Sequence, residues 1–205
     1  MGVLSAAPSA FAMSVNLVPG DLDLIDADIL ANPGNYSIAG ALLGPNNASP
    51  DAGSIGGIVY QDLVNGGFIY RLTVQAHTSN ISEFNTAFEV AGFGGADPTG
   101  GYSFSDAFSV LGATDAIDLD LDPDGTLDWE VNDNATGTWD GTTGGPGEEI
   151  SFFFRDPREP SRGSYNLINS IVGSATNYAP VPEPATALLL AFGLLGLTAH
   201  RRRLR

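Results

Sequence analysis

Residues 68–77 read Phe-Ile-Tyr-Arg-Leu-Thr-Val-Gln-Ala-His, and this stretch decides which class of fold the sequence predicts. Its apolar residues occupy every even position from 68 to 76, whereas Arg, Thr, Gln and His occupy the odd positions from 71 to 77. Successive side chains of a β-strand point to opposite faces of the sheet. The alternation therefore predicts a strand with one face in a core and the other face toward solvent.

Comparable apolar runs recur on both sides of this stretch. They lie at residues 22–30, 36–43, 84–90, 102–110 and 150–155. The chain also contains 26 glycines and 13 prolines, which favour short strands joined by turns, and no soluble amphipathic helix longer than two turns is expected. Three consecutive phenylalanines at residues 152–154 indicate a strand that is buried on both faces or covered by the chain end.

These patterns together predict one all-β domain. We expect a β-sandwich or jelly roll over residues 13–173, because short alternating strands bury their apolar faces most simply between two sheets. About 165 residues are sufficient for a single hydrophobic core. Residues 174–180 are small and polar, and we predict that they form a linker.

The charge of the chain excludes several classes of function. Residues 13–180 contain 23 Asp or Glu residues but only four Arg residues, and the chain has no Lys. Such a surface repels phosphate backbones, so nucleic acid is excluded as a partner. The chain also has no Cys, which excludes disulfides, zinc–thiolate sites and thiol catalysis.

An acidic stretch at residues 117–131 allows two interpretations. Residues 120–125 read Asp-Leu-Asp-Pro-Asp-Gly, which resembles the start of a calcium-binding loop. The candidate calcium ligands are Asp120, Asp122, Asp124 and Asp128. Val131 stands where such a loop needs its closing carboxylate, so a complete EF-hand is excluded. The alternative is a β-hairpin with a Pro-Asp-Gly turn, whose outer face carries repelling carboxylates.

Catalytic motifs are absent from the sequence, and an enzyme is not expected. There is neither a Gly-x-Ser-x-Gly elbow nor a His-Glu-x-x-His motif. Carboxylates are so numerous that a pair at glycosidase spacing would have no diagnostic value. Trp139 lies in a Gly/Thr-rich segment and is a candidate for stacking on a sugar; the alternative is that it covers the core.

The last 25 residues divide into three parts. Residues 181–184 read Val-Pro-Glu-Pro, residues 185–199 carry no charge and are rich in leucine, and residues 200–205 are basic. A helix over the apolar run would be roughly 23 Å long, shorter than the ~30 Å hydrocarbon core of a bilayer, so a buried helix is the competing interpretation. The adjacent arginines favour a membrane helix, because they can reach the headgroups and mark the cytoplasmic side.

The order of these parts resembles the PEP-CTERM sorting domain of Gram-negative bacteria, which is also labelled the ice-binding protein C-terminal domain. The resemblance implies recognition by exosortase, a membrane enzyme that removes the tail near the Pro-Glu-Pro motif, in bacteria that make exopolysaccharide and biofilm. Carried over, the sorting motif is Val181, Pro182, Glu183 and Pro184, residues 185–199 form the membrane helix, and the cytoplasmic basic end contains Arg201, Arg202, Arg203 and Arg205.

The N-terminus is consistent with export. Ala10, Phe11 and Ala12 form a small-x-small site of the type that signal peptidase cleaves, although no basic region precedes it. We interpret residues 1–12 as the remnant of a signal peptide, and a disordered apolar segment is the alternative.

The sequence therefore predicts an exported surface or matrix protein, associated with exopolysaccharide or biofilm and with a structural or adhesive role. Its precursor would sit in the inner membrane before the mature domain reaches the cell envelope or the matrix. The alternatives are a secreted hydrolase that acts on polysaccharide and a ligand-binding module that stays anchored in the membrane.

Overall fold

The structure is a computed structural model that describes residues 15–49, 52–77, 80–90, 100–141, 147–168 and 172–180. Two sheets of six strands each face one another across a common core. The strands are β1 (Val15–Leu17), β2 (Gly20–Asp21), β3 (Tyr36–Asn47), β4 (Gly53–Asp62), β5 (Phe68–Ala76), β6 (Glu83–Thr86), β7 (Gly100–Tyr102), β8 (Ile117–Leu121), β9 (Leu127–Val131), β10 (Glu149–Asp156), β11 (Pro160–Ile168) and β12 (Val172–Pro180). Two helices, α1 (Leu22–Ala31) and α2 (Phe104–Leu111), and a short 3-10 turn at Pro33–Asn35 complete the described part.

The sheets have different pairing patterns. Sheet A has the order β1-β8-β9-β6-β11-β12, and its strands are antiparallel throughout. Sheet B has the order β2-β7-β10-β5-β4-β3 and is antiparallel except for the pairing of β2 with β7. The predicted β-sandwich is confirmed in its two sheets, but the domain is mostly rather than entirely β, because two helices accompany the strands.

Aromatic side chains from both sheets meet at the centre of the core. The ring of Phe152 in sheet B lies 5.0 Å from the ring of Phe84 in sheet A, measured between centroids, and 5.6 Å from that of Trp129. The alternation predicted for β5 is confirmed, because Tyr70, Leu72 and Val74 are buried on the inner face. Aromatic rings remove more water-accessible area per residue than aliphatic side chains, so these contacts dominate the energy of the core.

The far face of β10 is also buried, as the run of phenylalanines predicted. Phe153 points away from the central core and forms a small cluster with Ile69 and Leu22. Helix α1, rather than the chain end, covers this face of β10, since Leu22 is the first residue of that helix. This strand is therefore apolar at consecutive positions because both of its faces are covered.

The strand predicted at residues 22–30 is wrong. This segment forms α1, a helix of ten residues, so the expectation that no helix exceeds two turns is also wrong. The Asp21 side chain caps the helix by accepting a hydrogen bond from the backbone N–H of Asp23 at 3.0 Å. Leu22 and Ile25, one turn apart, then pack on the apolar patch of sheet B.

The strand predicted at residues 102–110 is wrong for most of its length. Strand β7 ends at Tyr102, and α2 follows. Ser103 caps this helix by accepting a hydrogen bond from the backbone N–H of Asp106 at 3.0 Å. Gly112 ends it with φ 83°, a left-handed conformation that favours glycine. The run at residues 84–90 is likewise shorter than predicted, since β6 ends at Thr86.

The linker predicted at residues 174–180 is wrong, because these residues belong to β12. This strand pairs with β11 in unbroken register, and its inward side chains include Ala175, Asn177 and Ala179. Asn177 is fully buried and donates from Nδ2 to the carbonyl of Ile55 in sheet B at 3.1 Å. Its Oδ1 accepts from the backbone N–H of Tyr178 at 2.7 Å, which satisfies part of the outer edge of the strand.

The last strand ends at one end of the sandwich, which we call the exit end. Pro180 pairs with Pro160, the first residue of β11. The connection from β10 to β11 lies against Gly67 in the turn between β4 and β5. Strand β1 begins at the same end, because Val15 pairs with Leu121 at the end of β8. The chain therefore enters and leaves the described domain at one end.

Within the described ranges, no helix has both the length and the apolar character needed to cross a membrane. The membrane helix predicted at residues 185–199 and the signal-peptide remnant predicted at residues 1–12 lie outside the described residues.

Candidate functional site

Five carboxylates line the outer face of three neighbouring strands of sheet A. Asp118 pairs with Glu130, Asp120 pairs with Asp128, and Glu83 of β6 pairs with Glu130 from the other side. We call this set the carboxylate ladder. Directly opposed positions of antiparallel strands have Cβ atoms about 5 Å apart, so like charges there repel one another.

The β-hairpin interpretation of this stretch is confirmed. Strands β8 and β9 pair in register from Ile117 with Val131 to Leu121 with Leu127. The backbone N–H of Gly125 donates to the carbonyl of Asp122 at 2.8 Å and closes the turn. The Asp124 carboxylate accepts from both the backbone N–H and the hydroxyl of Thr126, at 3.1 and 2.8 Å. Asp124 therefore stabilises the turn of the hairpin.

The structure gives the calcium prediction no support. Among the described residues, which include all four candidate aspartates, no group of three or more His, Cys, Asp or Glu side chains is arranged to hold a metal ion. Asp120 and Asp128 lie on facing strands, whereas Asp122 and Asp124 lie in the turn beyond them. The assignment of these four aspartates as calcium ligands therefore stays a prediction.

Three carboxyl groups of the ladder have a raised pKa, chiefly because they are partly buried and secondarily because of neighbouring carboxylates. Burial, followed by the charges of Asp122 and Glu83, raises the pKa of Asp128 to about 7. Burial and neighbouring carboxylates also raise the pKa of Asp120 and that of Glu130. The Oδ1 atom of Asp128 is buried and has no hydrogen-bond partner within the described part of the chain. In the folded protein, Asp128 therefore favours its protonated form below about pH 7.

Substitution Asp128→Asn is expected to stabilise the protein at about pH 8 by about 1–2 kcal/mol, a figure reduced because solvent screens a partly exposed group. The folded pKa of about 7 lies above the ordinary value of 3.8, so the folded state binds more protons between these two values. Stability therefore falls as the pH rises through this window, and the amide removes that loss. Urea unfolding at about pH 5 and about pH 8 measures the effect.

The matched control is Asp124→Asn, which makes the same change in charge in the same hairpin. Hydrogen bonds from Thr126 lower the pKa of Asp124, so its carboxylate is favoured in the folded state. We expect no gain in stability from this control at any pH. An equal gain from both substitutions would show that only the net charge matters, and would contradict the role of the ladder.

Trp139 is part of the core. Its side chain is 2% exposed, its indole N–H donates to the carbonyl of Glu148 at 3.0 Å, and its ring lies 5.6 Å from that of Phe152. A buried ring offers no face for a sugar to stack on. The alternative stated for this residue, that it covers the core, is confirmed.

A polar groove that sequence analysis missed crosses the outer face of β4, β5 and β10. It encloses about 320 Å³. The lining residues are Ser54, Gly56, Gly57, Ile58, Arg71, Thr73, Gln75 and Glu149. The Nε atom of Arg71 binds both carboxylate oxygens of Asp26 in α1, at 3.1 and 3.0 Å. The polar positions at 71, 73 and 75 were visible in the alternation of β5, but the groove itself depends on the pairing of β5 with β4 and β10, which the local pattern does not specify.

The groove contains several hydrogen-bonding groups and one positive charge, the Arg71 guanidinium. The Arg71 Nη1 atom donates to the hydroxyl of Thr73 at 3.2 Å, and Gln75 donates to the carboxylate of Glu149 at 2.9 Å. Glu149 is the single carboxylate among the eight lining residues. The groove can therefore bind hydroxyl or carboxylate groups, but its lining does not supply a pair of catalytic carboxylates.

Comparison with known proteins places the C-terminus in a class. Residues 180–203 match the family model described as the PEP-CTERM protein-sorting motif. The chain thus carries a C-terminal PEP-CTERM sorting signal, which implies an exported, envelope-targeted protein and, in general, processing by exosortase. No curated protein and no solved structure matches the chain. Residues 181–205, which include the sorting motif and the basic end, lie outside the described residues.

Proposed function

We propose that the chain is a precursor whose tail is held in the inner membrane and removed by exosortase, which delivers the β-sandwich to the cell surface or the extracellular matrix. The match of residues 180–203 to the sorting motif carries this proposal. The tail has the required parts in order: Pro182-Glu183-Pro184, fifteen uncharged residues at 185–199, and four arginines. An uncharged run ending in arginines suits a short membrane helix with a cytoplasmic end.

The boundary between domain and tail supports removal of the tail. Strand β12 ends at Pro180, and the sorting motif begins at the next residue. A cut within residues 181–184 would leave every described strand of both sheets intact, because none of them extends past Pro180. The released domain would keep its core and the complete pairing of β11 with β12.

The role of the released domain is structural or adhesive rather than catalytic. Its large excess of carboxylates keeps it soluble among acidic polysaccharides, and the polar groove of sheet B supplies hydrogen-bonding groups and Arg71 for a glycan. The Nε–H of Arg71 donates to both carboxylate oxygens of Asp26, which holds the guanidinium in place and suits recognition of hydroxyl and carboxylate groups. Exopolysaccharide is the partner that this chemistry fits.

The sorting proposal is tested in the native host with Glu183→Gln and with deletion of residues 201–205. Each change is expected to lower the amount of protein at the surface at least about tenfold, a difference of about 1.4 kcal/mol or more in recognition of the tail. Uncut precursor should accumulate in the inner membrane, as shown by the intact mass of the protein in each fraction.

The matched control is Glu159→Gln, which changes an exposed glutamate that is also followed by a proline. It is expected to leave display and mass unchanged. If the Glu183→Gln variant reached the surface with a normal mature mass, the sorting proposal would fail. If the unaltered chain kept residues 185–205 in its mature form, the tail would be a permanent anchor.

A further inference from the structure

Four large apolar side chains are exposed around the exit end on the side of sheet B. We call them the apolar rim: Leu24 in α1, Ile38 in β3, and Leu63 and Val64 in the turn between β4 and β5. Between 55% and 71% of each of these residues is accessible to solvent. Single exposed apolar residues are ordinary, but a group of them at one end of a strongly acidic domain points to an interaction.

Contacts within the fold show that the members of the rim are neighbours. The backbone N–H of Leu63 donates to the carbonyl of Asn35, the residue before β3, at 2.9 Å. Leu24 and Asn65 line one cavity of about 410 Å³, which places α1 beside the turn that carries Val64. Ile38 pairs with Tyr60, two residues before the end of β4.

The rim lies at the end from which the tail departs. Gly67, in the same turn as Val64, lies against Asp156 and Pro157. That connection leads to Pro160, which pairs with Pro180. Four residues then separate Pro180 from the uncharged run at 185–199, and four extended residues span at most about 14 Å. A tail inserted in a bilayer would therefore hold the exit end at the lipid headgroups.

We infer that the apolar rim inserts into the outer surface of the inner membrane while the tail is attached, so that the precursor contacts lipid through its domain as well as through its tail. The inference rests on the proposed membrane stage of the precursor. The occupant of the rim is the bilayer interface, because the short connection leaves no room for the domain to stand clear of it. Removal of the tail would then free the domain, since a few side chains alone bind membranes weakly and reversibly.

The charged groups around the rim do not attract anionic lipids. The contact with the bilayer therefore depends on the apolar side chains of the rim. Asp28, on the same face of α1 as Leu24 and one turn further along, is exposed and accepts hydrogen bonds from Asn32 and Tyr36. Arg155, at the inner side of the rim, is paired with the buried carboxylate of Asp62 at 3.4 Å. Anionic lipids would repel Asp28, so added salt should strengthen insertion of the rim rather than weaken it.

The experiment uses the full chain, reconstituted through its tail into vesicles of phosphatidylethanolamine and phosphatidylglycerol. Because the chain has no Cys, the variants Val64→Cys and Val172→Cys each accept a single environment-sensitive fluorophore. Both positions are more than half exposed, and Val172 lies at the start of β12, far from the exit end. Quenchers are placed on the lipid acyl chains or dissolved in the buffer.

We expect the acyl-chain quencher to act on the label at position 64 roughly three times more strongly than on the label at position 172, as insertion by about 5–10 Å requires. Adding Leu63→Ser to the Val64→Cys variant should reduce that difference, because it removes half of the apolar turn. Salt should increase quenching at position 64.

Equal lipid quenching at the two positions, in a chain that floats with the vesicles and resists alkaline extraction, would overturn this inference and leave the proposed sorting pathway intact. A label at position 64 that is shielded from the buffer but not reached by the lipid quencher would mean that protein covers the rim, which also overturns it. A chain that does not float with vesicles at all would overturn both this inference and the membrane stage of the proposed function.

Discussion

Phe152→Ala is expected to lower the free energy of unfolding by about 3–5 kcal/mol, which is the range for removing a buried aromatic ring from a core. The Phe152 ring lies within 5.6 Å of the rings of Phe84, Trp129 and Trp139, so its removal leaves a cavity between the two sheets. Those neighbours are held by their own strands and cannot collapse fully into the space. Urea unfolding followed by tryptophan fluorescence measures the change.

The control for this prediction is Phe108→Ala. Phe108 lies on α2 and is 62% exposed, so its truncation removes the same group without opening a cavity. We expect a change within about 0.5 kcal/mol for this variant. Comparable losses from the two substitutions would mean that the sheets are not packed around Phe152 as described.

Asp156→Asn is expected to lower the free energy of unfolding by about 3–5 kcal/mol, because it leaves the charge of Arg158 uncompensated in a partly buried site. The Asp156 side chain is fully buried and accepts from the Nε and Nη2 atoms of Arg158, at 2.8 and 2.6 Å. It also accepts from the backbone N–H of Arg158 at 2.9 Å. The pair fixes the connection between the two sheets beside the exit end.

The exposed ion pair of Arg71 with Asp26 provides the comparison. Its side chains are 26% and 38% exposed, so Asp26→Asn should cost less than about 1 kcal/mol. Replacing both Asp156 and Arg158 by apolar residues of similar size should recover part of the loss, since neither charge is then left alone. Equal losses at the two sites, measured by urea unfolding, would contradict the argument from burial.

Several strands of the two sheets were predictable because the sequence signals that specify them are local. In β5 the alternation of Tyr70, Arg71 and Leu72 reflects one buried face and one open face, and a single strand displays both. The hairpin of β8 and β9 was predictable for the same reason, with its turn marked by Asp124 and Gly125. Periodicity of two and turn residues act over fewer than ten positions.

The helices were missed because the residues against which they pack lie far from them in the sequence. The apolar residues of α1 follow no clear period, and the helix packs on a patch of sheet B, Ile69 and Phe153, that lies far away in sequence. The caps were nevertheless readable: Asp21 precedes α1, and Ser103 with Gly112 brackets α2. Each cap is a single residue, whereas the apolar runs at 22–30 and 102–110 that suggested strands are nine residues long.

Strand β12 was mistaken for a linker because its buried residues are small. Ala175, Asn177 and Ala179 face the other sheet where the two sheets approach closely, as the hydrogen bond from Asn177 to the carbonyl of Ile55 shows. Large apolar side chains would not fit there, so the sequence lacks the signal that marks an ordinary strand. The groove beside Arg71 and the rim at the exit end depend on the same long-range packing and could not be predicted from local pattern.

The position of Pro180 has a mechanical consequence. In the membrane-held precursor proposed above, any force that drags the domain away from the cell would be transmitted through β12, whose nine residues pair with β11 along their whole length. A pull along the strand axis loads those hydrogen bonds in shear, all at once, instead of peeling them apart one after another. The buried side chain of Asn177 also links β12 to the second sheet, because it donates a hydrogen bond to the carbonyl of Ile55. If the tail is held in the membrane as proposed, the domain would be attached through a strand that resists extraction, and tension should reach the tail before it unfolds the sandwich.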